Sequence, residues 1–297
     1  MNRLIKYYNQ NRYMIWLVVL ILIAIIALIQ ILNNFTLERK NAQNNQNTII
    51  ANNINKNYSV ITGKEIKEEV SNIIDQFLNY CNNQEVEKAY EILSDECKEV
   101  LYPTLEGFTK NYYNKLFNKK KTYFYQGWIT NNGNYTYKID FTEDMLATGT
   151  AAQTSIVDYY TVIKDNDNYK LNINKFIGIT DINKTEKRDD IIINIKRKRV
   201  YMDYETYEIE VKNNSKGEII LDSLQDTDTV YIEDDKEQKY YWTSHEIIED
   251  DISIRNAQSK EIEIKFNKSY QPKNEIIKIV FSDIILENKT LKVESFL

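Results

Sequence analysis

Hydrophobic and polar positions along the chain fall into successive regimes, each with its own period. Residues 13–32 (YMIWLVVLILIAIIALIQIL) form one uncharged apolar run with no polar face. That length matches the roughly 20 residues a helix needs to cross a bilayer core. A cleaved signal peptide would have a shorter apolar stretch and a small-residue cleavage site, and Gln30 to Asn34 supplies none. The pattern predicts a transmembrane signal anchor. Residues 1–12 carry Arg3, Lys6 and Arg12 and no acid, which predicts a cytoplasmic amino end and an extracytoplasmic bulk.

Residues 33–61 hold ten Asn between Asn33 and Asn57 and few large apolar side chains. Such a stretch buries little and reads as a spacer. At Thr62 the pattern changes. Thr62 and Glu65 form a capping box, and Ile66, Val70, Ile73, Ile74, Phe77, Leu78 and Cys81 then recur on one helical face. A second helix is expected with Val86, Ala89, Tyr90, Leu93, Cys97 and Leu101 inward. A third, capped by Thr104 after Pro103, carries Leu105, Phe108, Tyr112 and Leu116.

From Lys121 the period becomes two. Residues 121–130, 134–143, 155–164 and 168–177 alternate and are rich in Tyr, Ile, Val and Thr, the signature of half-buried strands. Asn131-Asn132-Gly133 and Asp165 to Asn168 are hairpin connectors. Helices followed by an antiparallel meander predict an α+β domain over 62–178. Residues 179–189 (ITDINKTEKRD) are polar and read as a linker. Short strands follow at 190–199, 203–212, 217–223, 229–234, 238–245, 260–267 and 275–286. Their turn-punctuated spacing predicts an all-β, immunoglobulin-like sandwich over 190–297, without the Cys–Trp–Cys hallmark of antibody domains.

The phrases Asp75–Cys81 (DQFLNYC), Val86–Ser94 (VEKAYEILS) and Pro103–Phe108 (PTLEGF), followed by the strands, resemble the nuclear-transport-factor-2-like superfamily over about 64–178. That resemblance implies a cone: three helices enclosed by a curved antiparallel sheet. Membrane-anchored versions resemble assembly subunits of conjugation and type IV secretion machines and surface proteins of low-GC Gram-positive bacteria. The scarcity of Gly (7) and Pro (2) beside abundant Asn, Ile, Lys and Tyr fits an AT-rich coding genome of that kind.

Net charge is −6, with both signs interspersed, so a nucleic-acid surface, which would be clearly basic, is not expected. Lys119 to Lys121 and Lys196 to Arg199 are local exceptions, read as solvated positions. The single histidine, His245, and two cysteines provide neither a nucleophile–imidazole pair nor an ordinary zinc site. Asp165 to Phe176 fails the calcium-loop pattern at its sixth and twelfth positions. Glu249 to Asp251 and Asp234-Asp235 read as solvated acidic loops. No phosphate-cradling glycine loop occurs; the nearest stretch is Thr148 to Ala152. No catalytic residue, metal site or cofactor is expected. Cys81 and Cys97 are open to two readings, a disulfide permitted outside the cell or two buried thiols.

The remaining chemistry is aromatic. Tyr123, Tyr125, Trp128, Tyr135, Tyr137, Tyr159 and Tyr160 lie on adjacent strands. They either line a ligand pocket in the cone or pair across strands to stabilise the sheet. Asp140, Glu143 and Asp158 are the nearby acids that an enzymatic reading would need. The reading that follows is a non-enzymatic surface protein, held in the bilayer through residues 13–32 and acting as interaction modules with envelope proteins or further copies of itself. The alternative is a ligand-binding or sensing ectodomain.

Overall fold

Residues 68–129, 134–143, 155–165, 168–223, 228–243, 248–272, 274–287 and 289–297 are described by the computed structural model. The apolar run 13–32, the spacer 33–61, the Thr62–Glu65 cap, the 131–133 turn, residues 148–152 and His245 lie outside them. None of the described helices is long and apolar enough to cross a membrane.

The first helix, α1 (Glu68–Asn82), buries Val70, Ile74, Phe77, Leu78 and Cys81, the stripe that the helical period marks. The stretch expected to be one second helix is two. α2 (Val86–Ile92) ends where Leu93 turns extended and bridges Leu171, and α3 (Asp95–Leu101) starts afresh. Ser94 causes the break. Its Oγ accepts the Cys97 amide at 2.9 Å and donates to Asn172 Oδ1, while its own amide reaches Leu171 O. A serine here favours starting a helix over continuing one, because its side chain replaces a missing backbone partner. Asn172 in turn donates to Ile177 O at 2.9 Å, tying helix to sheet. Ser94→Ala should cost about 1–2 kcal/mol, the loss of a cap plus an unpaired buried amide oxygen. Urea unfolding followed by circular dichroism measures it, and an unchanged midpoint would contradict this linkage.

Thr104 caps α4 (Leu105–Phe108), accepting the Gly107 amide at 3.0 Å. The helix passes through a π turn (Thr109–Tyr113) into α5 (Asn114–Leu116). The consecutive residues Tyr112 and Tyr113 of this turn are both buried.

Four antiparallel strands follow in order: β1 (Lys121–Ile129), β2 (Tyr135–Glu143), β3 (Ile156–Asp165) and β4 (Asn168–Asn172). α1 packs on β3 and β4. The expected fourth strand stops at Asn172, because Asn174 and Lys175 both take positive φ in a tight turn. The chain then enters β5 (Phe176–Arg188). Residues 179–189, expected to be a linker, therefore form most of a long strand. Two bulges in its pairing with β6 (Ile191–Tyr201) break the alternation that would have revealed it. The described helices and the strands beyond them belong to one compact unit.

β7 (Glu205–Asn213) and β12 (Gln258–Phe266) complete a sheet of order β12-β7-β6-β5. The third sheet comprises β8 (Ile219–Ile220), β9 (Val230–Asp234), β10 (Lys239–Tyr241), β11 (Ser253–Ile254), β13 (Ile276–Leu286) and β14 (Lys289–Phe296). Its order is β10-β9-β13-β8-β11, with β14 along the other edge of β13. A short helix, α6 (Glu249–Ile252), precedes β11. The described residues are thus mostly antiparallel β, with few helices and a curled sheet.

The second and third sheets bury one shared apolar layer, with Ile193, Ile209 and Ile264 on one side and Ile232, Ile279 and Phe281 on the other. Each such side chain contributes about 1.5–3 kcal/mol by leaving water. A bulge at Lys196 reverses side-chain parity within β6. Ile191, Ile193 and Ile195 therefore face the core, while Arg197 and Arg199 stand over Glu208 on the outer face.

Candidate functional site

The aromatic residues singled out from the sequence divide between the two faces of the first sheet. Tyr125, Tyr137 and Tyr160 are fully buried against the helices. Register places Tyr137 opposite Tyr160, and Tyr125 meets Tyr137 edge-on at 5.4 Å. Tyr123 stacks beside Tyr125 at 6.4 Å and donates to Asp75 of α1 at 3.3 Å. Tyr135 is half-buried at the start of β2. Tyr159 lies on the opposite face, across from Lys138. Trp128 belongs to β1, but its side chain lies outside the described residues.

Helical rings fill the space that these tyrosines enclose. Phe77 meets Tyr160 edge-on at 5.5 Å, Phe108 stacks on Tyr112 at 5.8 Å, and Phe117 meets Phe141 at 5.8 Å. Edge-to-face and offset contacts of this kind suit the ring quadrupoles. The filling weighs against a ligand cavity and favours the packing role for these residues.

Within that interior lies one carboxyl group. Asp158 Oδ1 accepts the Tyr159 and Lys175 amides at 2.7 and 3.0 Å. Oδ2 accepts the Tyr112 hydroxyl at 2.9 Å and the Asn174 amide at 3.2 Å. Tyr112 and Tyr160 share a 2.5 Å O–O contact, and with Tyr112 donating to Asp158, Tyr160 donates to Tyr112. Burial pushes the Asp158 carboxyl up to about 6, against the pull of these hydrogen bonds. Burial likewise drives both phenols well above the ordinary tyrosine range.

A carboxylate has about four acceptor positions, and four donors from the chain occupy those of Asp158. Asn174 and Lys175 sit at φ 57° and 64°, a conformation costly to residues with a Cβ, and Asp158 binds the amides of both. The carboxyl therefore acts as a staple on the turn between β4 and β5. Sequence reading nominated Asp158 as an acid near the strands, but no local signal announced three of its four partners, which lie 16 and 17 residues ahead and 46 behind.

The other candidates disperse. Asp140 is half-buried beside Lys138 at 3.3 Å; the side chain of Glu143 lies outside the described residues. Cys81 and Cys97 are free, buried thiols. Burial raises both, Cys97 to about 12, far from a reactive thiolate. Lys121 opens β1, while Lys196, Arg197 and Arg199 are tied to Glu261, Glu208 and Glu263 at 2.5, 3.0 and 2.6 Å. Acids from neighbouring strands thus pair three of the four basic residues of that run. Asp234 accepts the Lys236 and Gln238 amides inside its own turn. Among the described residues no cluster of His, Cys, Asp and Glu could hold a metal ion.

Two open clefts flank β12. One is lined by Glu218, Asp250, Ser253, Arg255 and Lys260, the other by Thr243, Ile252, Glu261, Glu263 and Lys265. Neither involves the aromatic candidates. Set against family models, characterised proteins and solved structures, the chain matches none of them.

Proposed function

We propose that this chain is a non-enzymatic, membrane-anchored extracytoplasmic protein that serves as interaction modules in a cell-envelope assembly, of the kind that moves macromolecules in conjugation. On this reading residues 13–32 span the bilayer with the amino end inside. A nuclear-transport-factor-2-like cone over 62–178 and an immunoglobulin-like sandwich to the carboxyl end face outward. The observation that carries the proposal is the filled aromatic interior. With the cone packed by its own rings and its buried carboxyl saturated by the chain, the exposed sheet edges and faces are what remain to act on other molecules.

Affinity capture of the full chain after crosslinking in native membranes, followed by mild detergent extraction, tests the proposal. The expected result is a reproducible set of envelope proteins or multiple copies of the chain. Recovery of the monomer alone would overturn it.

A further inference from the structure

The stretch that the sequence offers as a linker between two modules instead fastens the first sheet to the second. Modules on a polar linker move against each other by default, unless a close interface holds them. Here the chain leaves β4 through a tight turn and enters β5, and the corner residue Lys175 is held from both sides. Its amide donates to Asp158 Oδ1 at 3.0 Å and to the Tyr159 carbonyl at 3.1 Å, both on β3 of the first sheet. Its carbonyl accepts the Met202 amide at 2.9 Å, in the turn between β6 and β7 of the second sheet. The Met202 carbonyl in turn accepts the Tyr270 amide at 2.9 Å, beyond the end of β12. The Lys175 ammonium also reaches Asp203 at 2.6 Å, an exposed pair that adds little by itself.

Packing closes the corner around these bonds. Phe176, fully buried, meets Tyr201 at 5.3 Å, and Tyr201 stacks on Tyr204 at 4.4 Å. Past the corner, β5 is tied back toward the helices. The Ile177 carbonyl accepts Asn172 Nδ2 at 2.9 Å, and the Ile179 amide donates to Glu96 Oε2 of α3 at 3.3 Å. Three residues along α3, Glu99 accepts Arg197 of β6 at 2.9 Å.

We infer that this corner is a clasp through which the helix-bearing half and the sandwich open together, so that a loss of stability in one is passed to the other. The positive-φ turn at Asn174 and Lys175 is held by Asp158, and the Met202 turn is held by the Lys175 carbonyl. Disorder on either side therefore strips hydrogen-bond partners from the other, which merges local openings into one cooperative event. The inference goes beyond the interaction-module reading and does not rest on it, because it holds whatever the two halves bind.

The full chain in detergent micelles carries a probe for each half. Cys97 of α3 is buried, with its sulfur at the Ile173 amide beside the corner. Maleimide labelling, assigned to Cys97 by peptide mass spectrometry, reads opening of the helix-bearing half. Hydrogen exchange of the β7 amides, around the buried Ile209 and Val211, reads the sandwich. Lys268→Met breaks a buried ion pair with Glu205 in the sandwich and should speed β7 exchange at least about tenfold. Cys97 labelling should rise by the same factor, although the substitution lies outside its half. Reciprocally, Ser94→Ala should speed Cys97 labelling and β7 exchange alike, by roughly 5–30-fold. A rise confined to the mutated half in either variant would overturn the inference. The wild type decides the matter where a variant does not fold. As urea is raised, the two probes should lose protection at midpoints within about 0.3 M of each other, and a wider separation would equally overturn the clasp. Neither readout involves a partner protein, so this inference and the proposed function fail separately.

Discussion

Replacing Lys268 by Met in the intact chain is expected to cost about 3–5 kcal/mol of folding stability, the range found when one partner of a buried ion pair is removed. Lys268 Nζ lies 2.7 Å from Glu205 Oε1, and both side chains are 2% exposed. The other oxygen of Glu205 accepts the Tyr207 hydroxyl at 2.9 Å. The pair fastens the chain after β12 to the start of β7, beneath the ring of Tyr240. Without the ammonium, Glu205 keeps a charge in a dry interior with one neutral donor. Combining Lys268→Met with Glu205→Gln removes both charges and leaves an acceptor for Tyr207. The double variant should therefore come within about 2 kcal/mol of wild type, since neutral replacement of a buried pair costs far less than breaking it. Urea titrations of the four proteins in the cycle measure this. A single variant costing under about 1 kcal/mol, or a double variant no better than the single, would contradict the burial described.

Asp158→Ala is expected to remove on the order of 2 kcal/mol at pH 7, because it leaves the Tyr112 hydroxyl and the Asn174 amide without their acceptor and leaves the Lys175 amide only the Tyr159 carbonyl. The effect should also depend on pH in an unusual direction. Most carboxylates in folded proteins are held below their free value and stabilise the fold as pH rises. Asp158 is raised by burial to about 6, above the unfolded value near 3.9. Between those values the folded state holds more protons than the unfolded one, so this group's contribution is full below pH 4. It declines as pH rises to 6, by on the order of 1–3 kcal/mol. The stability gap between wild type and Asp158→Ala should accordingly narrow from pH 4 to pH 6 and stay level above. A gap that widens over this window would show that the four hydrogen bonds outweigh burial.

Much of the secondary structure was legible because its signals are local. Ile74, Phe77, Leu78 and Cys81 recur at helical spacing, and Tyr125, Tyr137 and Tyr160 occupy alternate positions of strands that form where the period changes. Thr104 acts as the cap that its position after Pro103 and before Leu105 implies. The misreadings arose where a local signal was outvoted. Ser94 interrupts an apolar helical stripe because a partner 78 residues away, Asn172, rewards the break. β5 was hidden since bulges spoil its alternation and its outer positions are polar. β14 was missed although Leu291 and Val293 alternate, because its two-residue connection begins with Glu287, at φ 53°, where Asn or Gly would be the usual cue.

The candidate site was less legible. A row of tyrosines on neighbouring strands is compatible with a pocket wall and with a packed interior, and their spacing is the same in both. The rings of Phe77, Phe108 and Phe117, arriving from helices far away in sequence, pack against the sheet and favour the second. The same holds for Asp158, whose four donors come from three separate stretches of chain, and for the Lys196 to Arg199 run, whose neutrality depends on acids from β7 and β12.

From sequence alone came the apolar run 13–32, the Asn-rich stretch after it, most of the helices and strands in their order, and the scarcity of His, Cys and Gly. These are properties of composition and of short-range period, each carried by residues a few positions apart. Tertiary structure alone decided that rings from helices and sheet pack against one another, that a buried acid is a staple, and that the cysteines are separate thiols. Those outcomes depend on which distant side chains share a space, and burial and pairing are set by that proximity, which no local period encodes.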